Sequence, residues 1–152
     1  MQNDIHKDLI PLQKEVDYLQ DYIEIQKLRI ATELEIQTSF ENIGSQLMSP
    51  GLFIPLVENA FKYGIHPTEK STIKIDIFCD ANTIHFRCEN RYDTHQKVHH
   101  MEEGFGIGIK NVKQRLQLVY PEKHHFDIDQ TDDIFIVELT LQLNKLWLQP
   151  LP

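Results

Sequence analysis

The stretch PLVENAFKYG at positions 55–64 determines how the rest of the chain is interpreted. A Ser-Pro-Gly start signal at 49–51 and the closing glycine predict a helix over these residues. Asn59 and Lys62 lie three positions apart and share one face of that helix, whereas Glu58 and Lys62 lie four apart and could form an ion pair. Taken alone, this pattern describes a solvated face whose ion pair contributes a few tenths of a kcal/mol.

A second unusual stretch is GFGIG at positions 104–108, which leads into another predicted helix. It is not a dinucleotide-binding fingerprint, because Ile109 stands where the third glycine would be required. No Gly-Lys-Ser/Thr sequence follows, which excludes a P-loop. A flexible backbone that delivers amide groups to a helix start suits an anion, although a simple hinge would give the same pattern.

The first thirty residues predict one long helix, capped by Asp8 and with Pro11 in its first turn. Its apolar residues follow a heptad spacing, at Ile5, Leu9, Leu12, Val16, Leu19, Ile23 and Ile30. Such a stripe is typical of a helix that packs on a partner helix, and it must be buried by the domain, a second helix or another subunit. An ordinary amphipathic surface helix is the alternative.

Alternation of apolar and polar residues predicts five strands, at residues 34–40, 73–78, 84–89, 126–129 and 134–143. The polar segment 91–103 has no apolar period and predicts a functional loop. The order of elements predicts an α/β (α+β) two-layer sandwich, with a mixed, mostly antiparallel sheet covered by helices and preceded by a helix.

Composition and charge exclude several classes of function. The 152 residues are 41% hydrophobic and 25% charged, which predicts a folded domain. Fifteen basic and 23 acidic residues give a net charge of −8, so a nucleic-acid partner is not expected, and a bound phosphate must be handled locally by lysines, amides or a metal. No apolar run approaches the ~20 residues of a membrane span, and two cysteines without a disulfide framework predict a cytoplasmic domain.

The two unusual stretches, in this order, resemble the ATP-binding catalytic domain of sensor histidine kinases, gyrase-type topoisomerases, heat-shock chaperones and mismatch-repair ATPases. Residues 55–64 look like its asparagine box, and residues 104–116 look like its glycine-rich box. The best match is the LytS and YehU type of histidine kinase, which the stretches 22–29 and 118–121 also fit. The resemblance extends from about residue 9 to 143 and implies the Bergerat-type ATP-binding fold.

The resemblance divides the chain into three parts. Residues 1–31 would be the end of a dimerisation helix, residues 32–145 the catalytic domain and residues 146–152 a tail. Its partners would be an upstream phosphoacceptor helix, a second copy in the full-length dimer and a response regulator, often of the LytTR class. Upstream segments would hold the full-length protein in the cytoplasmic membrane.

The resemblance assigns roles to the asparagine box. Asn59 would coordinate Mg²⁺ that bridges the ATP phosphates, and Glu58 would orient the metal or the attacking histidine. Lys62 would contact phosphate oxygens, and Tyr63 would pack beside the nucleoside. The hydrolysing members carry a glutamate four residues before the asparagine; here that residue is Pro55, which disfavours hydrolysis and matches the kinases.

In the glycine-rich box, Gly104, Gly106 and Gly108 would let the lid close on the phosphates, with Asn111 near them. The adenine-reading box of the family, Asp-x-Gly-x-Gly, is altered here to Glu-Asn-Arg-Tyr-Asp at 89–93. The resemblance implies that Glu89 accepts a hydrogen bond from the adenine amino group, or that Asn90 substitutes for it.

None of the eight histidines lies in the phosphoacceptor motif of the family. The expected function is therefore transfer of the ATP γ-phosphoryl group to a histidine on an upstream helix, for relay to a response regulator. A degenerate, non-catalytic dimerisation or interaction module of the same fold is one alternative. A serine kinase of the anti-sigma type is another, although the long helix at the start of the chain argues against it.

Overall fold

The computed structural model describes residues 8–92 and 106–143. Within these residues the elements follow one another as β1 (Ile10–Pro11), α1 (Leu12–Arg29), β2 (Leu34–Glu41), β3 (Leu47–Met48), α2 (Ile54–Tyr63), β4 (Ser71–Asp80), β5 (Thr83–Arg91), α3 (Gly106–Val119), β6 (His124–Gln130) and β7 (Ile134–Gln142). No helix of this part of the chain is long and apolar enough to cross a bilayer.

The main sheet has the order β2-β4-β5-β7-β6, in which β2 and β4 are parallel and the other pairs are antiparallel. The predicted mixed sheet and its five strands are therefore confirmed. The sequence did not predict the short antiparallel pair of β1 with β3. Strand β1 lies just before α1, and β3 lies shortly before α2. Pairs of two residues are too short for a periodic signal.

The helices cover one face of this sheet. Buried residues alternate with more exposed ones along β5, the central strand, and along its neighbour β4. They are Ile73, Ile75, Ile77 and Cys79 on β4 and Ile84, Phe86, Cys88 and Asn90 on β5. The ring of Phe53, just before α2, stacks on Phe86 with centroids 4.8 Å apart. The opposite face carries paired charges such as Arg87 and Glu138, as expected for a two-layer structure with one solvated face.

Helix α1 differs from its prediction at the N-terminal end. It begins at Leu12, because Ile10 and Pro11 pair with β3 instead of entering the helix. Pro11 occupies the N-cap position and no side chain caps the helix, so the prediction of Asp8 as its cap was wrong. Residues 1–7, which include the predicted start of the stripe, lie outside the described part of the chain.

The apolar stripe of α1 is buried by the domain itself. Its members from Leu12 to Ile23 belong to the same core as α2 and the sheet. Tyr22 also meets Phe61 of α2 edge to face, with ring centroids 5.8 Å apart. Of the three partners that the heptad spacing allowed, the structure therefore identifies the domain.

This burial predicts that two leucines of the same helix differ sharply in their contribution to stability. Leu19 is 0% exposed, whereas Leu28 is 88% exposed. Leu19→Ala should lower the free energy of unfolding by about 2–5 kcal/mol because it leaves a cavity. Leu28→Ala, with the same change in helix propensity, should alter it by less than about 0.5 kcal/mol. Urea denaturation of both variants checks this, and equal effects would contradict the packing of α1.

Candidate nucleotide site

Helix α2 carries four of the predicted site residues at different depths. Glu58 and Lys62 are exposed, Tyr63 is half-buried, and Asn59 is only 9% exposed. Lys62 Nζ lies 5.2 Å from the centroid of the Tyr63 ring, a cation–π distance. The ion pair considered for Glu58 and Lys62 is not among the salt bridges of the described residues, so Lys62 remains available to another anion.

The amide nitrogen of Asn59 is buried and has no hydrogen-bond partner among the described residues, as is also true of Thr32 Oγ1 and Gln46 Oε1, but of the three only Asn59 is a predicted site residue. A buried polar atom without a partner costs about 1–3 kcal/mol, and such atoms are uncommon in folded proteins. The same side chain has a carbonyl oxygen, which is a suitable ligand for a hard cation such as Mg²⁺. Asn59 therefore has the properties of a group that binds something beyond the protein.

The start of α3 lies beside the start of α2. A Cβ atom placed on Gly108 would lie 3.4 Å from Cβ of Pro55, which is close contact between the two first turns. Gly106 is the first residue of α3, and Asn111 is exposed on its second turn. Gly104 lies outside the described residues. The predicted glycine-rich and asparagine boxes thus meet at the N-terminal ends of two helices, where amide groups favour anions.

The two residues proposed to read adenine point to opposite faces of β5. Asn90 is 3% exposed and lies on the helix-covered face. Its amide nitrogen donates to the carbonyl oxygen of Arg91 at 3.0 Å. A Cβ on Gly64 would lie 2.8 Å from Cβ of Asn90, so only glycine allows the end of α2 to approach this closely. Asn90 therefore lies at the Tyr63 end of α2.

Glu89 lies on the solvated face of the sheet. One of its carboxylate oxygens is 2.9 Å from Arg87 and the other is 3.7 Å from Lys74. The structure therefore brings Asn90, but not Glu89, to the helix that carries Asn59. A signal for this was present in the sequence: Asn90 is in phase with the apolar residues Phe86 and Cys88, whereas Glu89 is out of phase with them.

A cavity of about 450 Å³ opens at the C-terminal end of α2. The polar residues that line it are Tyr63, His66, Glu69, Lys70, Ser71, Thr72, Arg91, Tyr92 and Asp133. Of these, only Tyr63 was a predicted site residue. The others come from the α2–β4 loop, the start of β4, the end of β5 and the β6–β7 turn, and local periodicity does not indicate that these segments meet.

The cavity wall is built from hydrogen-bonded loops. His66 Nδ1 accepts hydrogen bonds from the backbone amides of Thr68 and Glu69, at 3.1 and 2.9 Å. The Tyr92 hydroxyl donates to the carbonyl oxygen of Thr131. The His66 contacts close the loop after α2 on itself, and the Tyr92 contact joins the end of β5 to the β6–β7 turn.

Glu58 of α2 acts electrostatically on Tyr22 of α1. Burial, and then the Glu58 carboxylate, raise the pKa of Tyr22 to about 12, while Arg29 acts in the opposite direction. Tyr22 is therefore a neutral hydroxyl at physiological pH.

No family model matches the chain. Sensor histidine kinase YesM of Bacillus subtilis is 27% identical over 129 residues, which are 82% of this chain and 22% of that protein. Sensor protein LytS of Oceanobacillus iheyensis is 28% identical over 148 residues, 89% of this chain and 25% of that protein. The chain thus spans about a quarter of the length of these curated relatives.

The fold also has solved counterparts. The structure of the histidine kinase AdeS of Acinetobacter baumannii matches with a TM-score of 0.62 at 13% identity, over 90% of this chain and 67% of that one. At this identity the likeness shows the fold. The two-layer arrangement of helices on a mixed sheet is that of histidine kinase catalytic domains.

Because the buried amide nitrogen of Asn59 has no hydrogen-bond partner among the described residues, we predict that an apolar residue at this position stabilises the domain. Asn59→Leu has a similar volume and removes the buried polar atom, so we expect the free energy of unfolding without ligand to rise by about 1 kcal/mol. Asn90→Leu is the matched control: its amide is hydrogen-bonded and packed on Gly64, so this variant should be destabilised. Thermal and urea unfolding measure both. A loss of stability in Asn59→Leu would show that the amide is satisfied in solution.

Proposed function

We infer from the resemblance to LytS-type sensor histidine kinases, which these relatives confirm, that the chain is the ATP-binding catalytic domain of such a kinase. In this proposal it binds ATP with Mg²⁺ and transfers the γ-phosphoryl group to a histidine on a helix upstream of this chain. The observation that carries the proposal is the buried amide nitrogen of Asn59, which has no hydrogen-bond partner in the described part of the chain and lies one helical turn from Pro55, where α2 meets α3.

The proposed binding residues divide between the two ends of the nucleotide. Asn59 would hold Mg²⁺ together with the substrate phosphates, in keeping with the small number of protein ligands that this ion takes. When bound, Mg²⁺ would neutralise phosphate charge. Lys62 would add a mobile positive charge, and the glycines around Gly108 would allow the backbone to approach the phosphates.

At the other end, Tyr63 and the cavity at the end of α2 would receive the nucleoside. We assign the base-reading position to Asn90, because it lies on the helix-covered face beside Gly64. This revises the expectation for Glu89, whose carboxylate is engaged with Arg87 and Lys74 on the solvated face. An amide offers both a donor and an acceptor to a base edge.

Phosphoryl transfer depends mainly on positioning and charge neutralisation, so this set of residues is chemically sufficient for it. Glu58 is exposed and near enough to Tyr22 of α1 for its carboxylate to raise the pKa of that hydroxyl. In the proposal Glu58 orients the attacking histidine of the upstream helix. Pro55 supplies no base for water, which favours transfer over hydrolysis.

The remaining parts of the proposal concern the longer protein. A sensor histidine kinase relays its phosphoryl group to a response regulator, and we propose such a partner, of the LytTR class, for this chain. We also propose that the full-length protein is a homodimer whose catalytic domain lies in the cytoplasm. Its membrane attachment would come from segments upstream of this chain.

A non-catalytic module of the same fold is the second candidate. The observation that favours it is that neither residue expected to read adenine offers a free carboxylate: the Asn90 amide nitrogen donates to the carbonyl oxygen of Arg91, and Glu89 is engaged in ion pairs. In that case the fold would serve dimerisation or protein interaction without a nucleotide.

Calorimetric titration with a non-hydrolysable Mg-ATP analogue separates the two candidates. We expect binding in the high-micromolar range or tighter, weakened at least about tenfold by Asn59→Ala, because a ligand of the metal is lost. Glu89→Ala should change the affinity by less than about twofold, and Asn90→Ala should weaken it. No heat at millimolar analogue would favour the non-catalytic module, and a large effect of Glu89→Ala would reverse the assignment of the base-reading residue.

Phosphorylation can be tested by adding the missing helix in trans. The chain alone should incorporate no phosphate from labelled ATP, since its histidines lack the phosphoacceptor context. A fragment of the longer protein that contains the upstream helix should be phosphorylated on histidine when this chain is added. Acid-labile label on the helix fragment is the expected readout, and acid-stable serine label on another protein would point to an anti-sigma type kinase.

A further inference from the structure

A charged residue lies inside the buried surface of α1. Glu15 is 1% exposed, although the residues around it on this side of the helix are the apolar Leu12, Val16 and Leu19. Burial of a carboxylate is costly unless hydrogen bonds compensate. The partners of this carboxylate therefore indicate what it does.

The partners are backbone amides of the turn that precedes α2. Glu15 Oε1 accepts a hydrogen bond from the Gly51 amide at 2.9 Å. Burial raises the pKa of the Glu15 carboxyl, and the neighbouring backbone amides of Gly51, Phe53 and Leu52 act in the opposite direction. Gly51 has φ of 78°, a left-handed conformation that lets successive N–H groups converge on one anion. The turn is thus an anion-binding concavity that a side chain of the same protein fills.

The turn at 49–53 is continuous with α2. The carbonyl oxygen of Phe53 accepts hydrogen bonds from the amides of Leu56 and Val57, which belong to the first turn of the helix. The Glu15 carboxylate therefore lies at the positive end of the α2 dipole, which offsets part of the cost of burying its charge. Asn59 is five residues beyond the first residue of α2, less than two helical turns away.

Helix α3 holds the same turn from the other side. The Ser49 amide donates to the Tyr120 hydroxyl at 2.9 Å, and the Arg115 guanidinium donates to the Ser49 hydroxyl. Tyr120 is fully buried just after α3. The turn before α2 is therefore fixed by α1 through Glu15 and by α3 through Ser49, and these contacts set α2 relative to Gly108.

We propose that Glu15 is a positioning residue for nucleotide binding: its carboxylate fixes the turn at 51–53 so that α2 presents Asn59 to the ligand beside α3. This inference rests on the proposed function of the site. Glu15 touches neither the candidate ligand residues nor the cavity, and it acts through the backbone of the turn and the rigid first turns of α2. It makes the position of Asn59 depend on the position of α1.

The test compares Glu15→Ala with Leu19→Ala, which removes a buried side chain of α1 without touching the turn. Both variants are studied at a temperature at which circular dichroism shows them fully folded, and the Mg-ATP analogue is titrated calorimetrically. We expect Glu15→Ala to weaken binding about tenfold or more, the factor for loss of hydrogen bonds to a charged group. Leu19→Ala should leave the affinity within about twofold of the unaltered chain.

Amide NMR spectra supply a readout that general destabilisation would not change. The Gly51 amide proton should shift upfield in Glu15→Ala, and the Asn59 amide should shift with it, whereas both should stay in place in Leu19→Ala. Glu15→Gln keeps one acceptor oxygen, so it should restore most of the affinity and bring both shifts back toward their original positions. If Glu15→Ala does not fold, Glu15→Gln carries the test: it should move the Gly51 signal and weaken binding about threefold.

The outcomes separate this inference from the proposed function. No binding by the unaltered chain would overturn the nucleotide site and the positioning role with it. Binding by the unaltered chain, together with equal affinity in the Glu15 variants, would overturn the positioning role alone. Equal weakening by Glu15→Ala and Leu19→Ala would also overturn it, because that result would reduce Glu15 to a contribution to stability.

Discussion

The arrangement of the site depends on how the turn before α2 is held. This turn has no regular secondary structure, and it carries the fully buried side chains of Leu52 and Phe53. The Glu15 carboxylate accepts a hydrogen bond from the Gly51 amide, and the Phe53 ring then stacks on Phe86 of the central strand. Without that carboxylate the Gly51 amide would lose its acceptor. The direction of α2, and of everything it carries, follows from this contact.

The fold could be predicted well from the sequence because its strands and two of its helices are strongly periodic. β4 and β5 alternate without exception, and α3 buries Ile109, Val112, Leu116 and Val119 at helical spacing. The ends of elements were predicted less well. The chain before α1 enters a two-residue strand instead of the helix, and α2 begins at Ile54 and not at the Ser-Pro-Gly signal. Short pairs and buried turns depend on distant partners, which local patterns do not report.

The candidate site, too, could be predicted from the sequence only in part. The residues on α2 were found because polar side chains interrupt an apolar helix and because the stretch resembles a known box. The resemblance offered Glu89 and Asn90 as alternatives for contact with adenine, and the pleat of β5 directs Glu89 to the solvated face. Strand phase, which places Asn90 with the buried residues, is therefore the basis of the assignment that we propose. The wall of the cavity joins His66 of the α2–β4 loop to Arg91 at the end of β5, and local patterns do not indicate that these segments meet.

Two buried polar residues, Glu15 and Asn59, interrupt the apolar surfaces of neighbouring helices, and the sequence alone does not separate their roles. The structure separates them by their hydrogen bonds. Glu15 accepts a hydrogen bond from the turn before α2, so its partner lies within the protein. The amide nitrogen of Asn59 has no hydrogen-bond partner among the described residues. If a ligand supplies that partner, binding restores stability that the domain lacks without the ligand. In our proposal the residue with a partner therefore orients the helix, and Asn59 is where the helix meets its ligand.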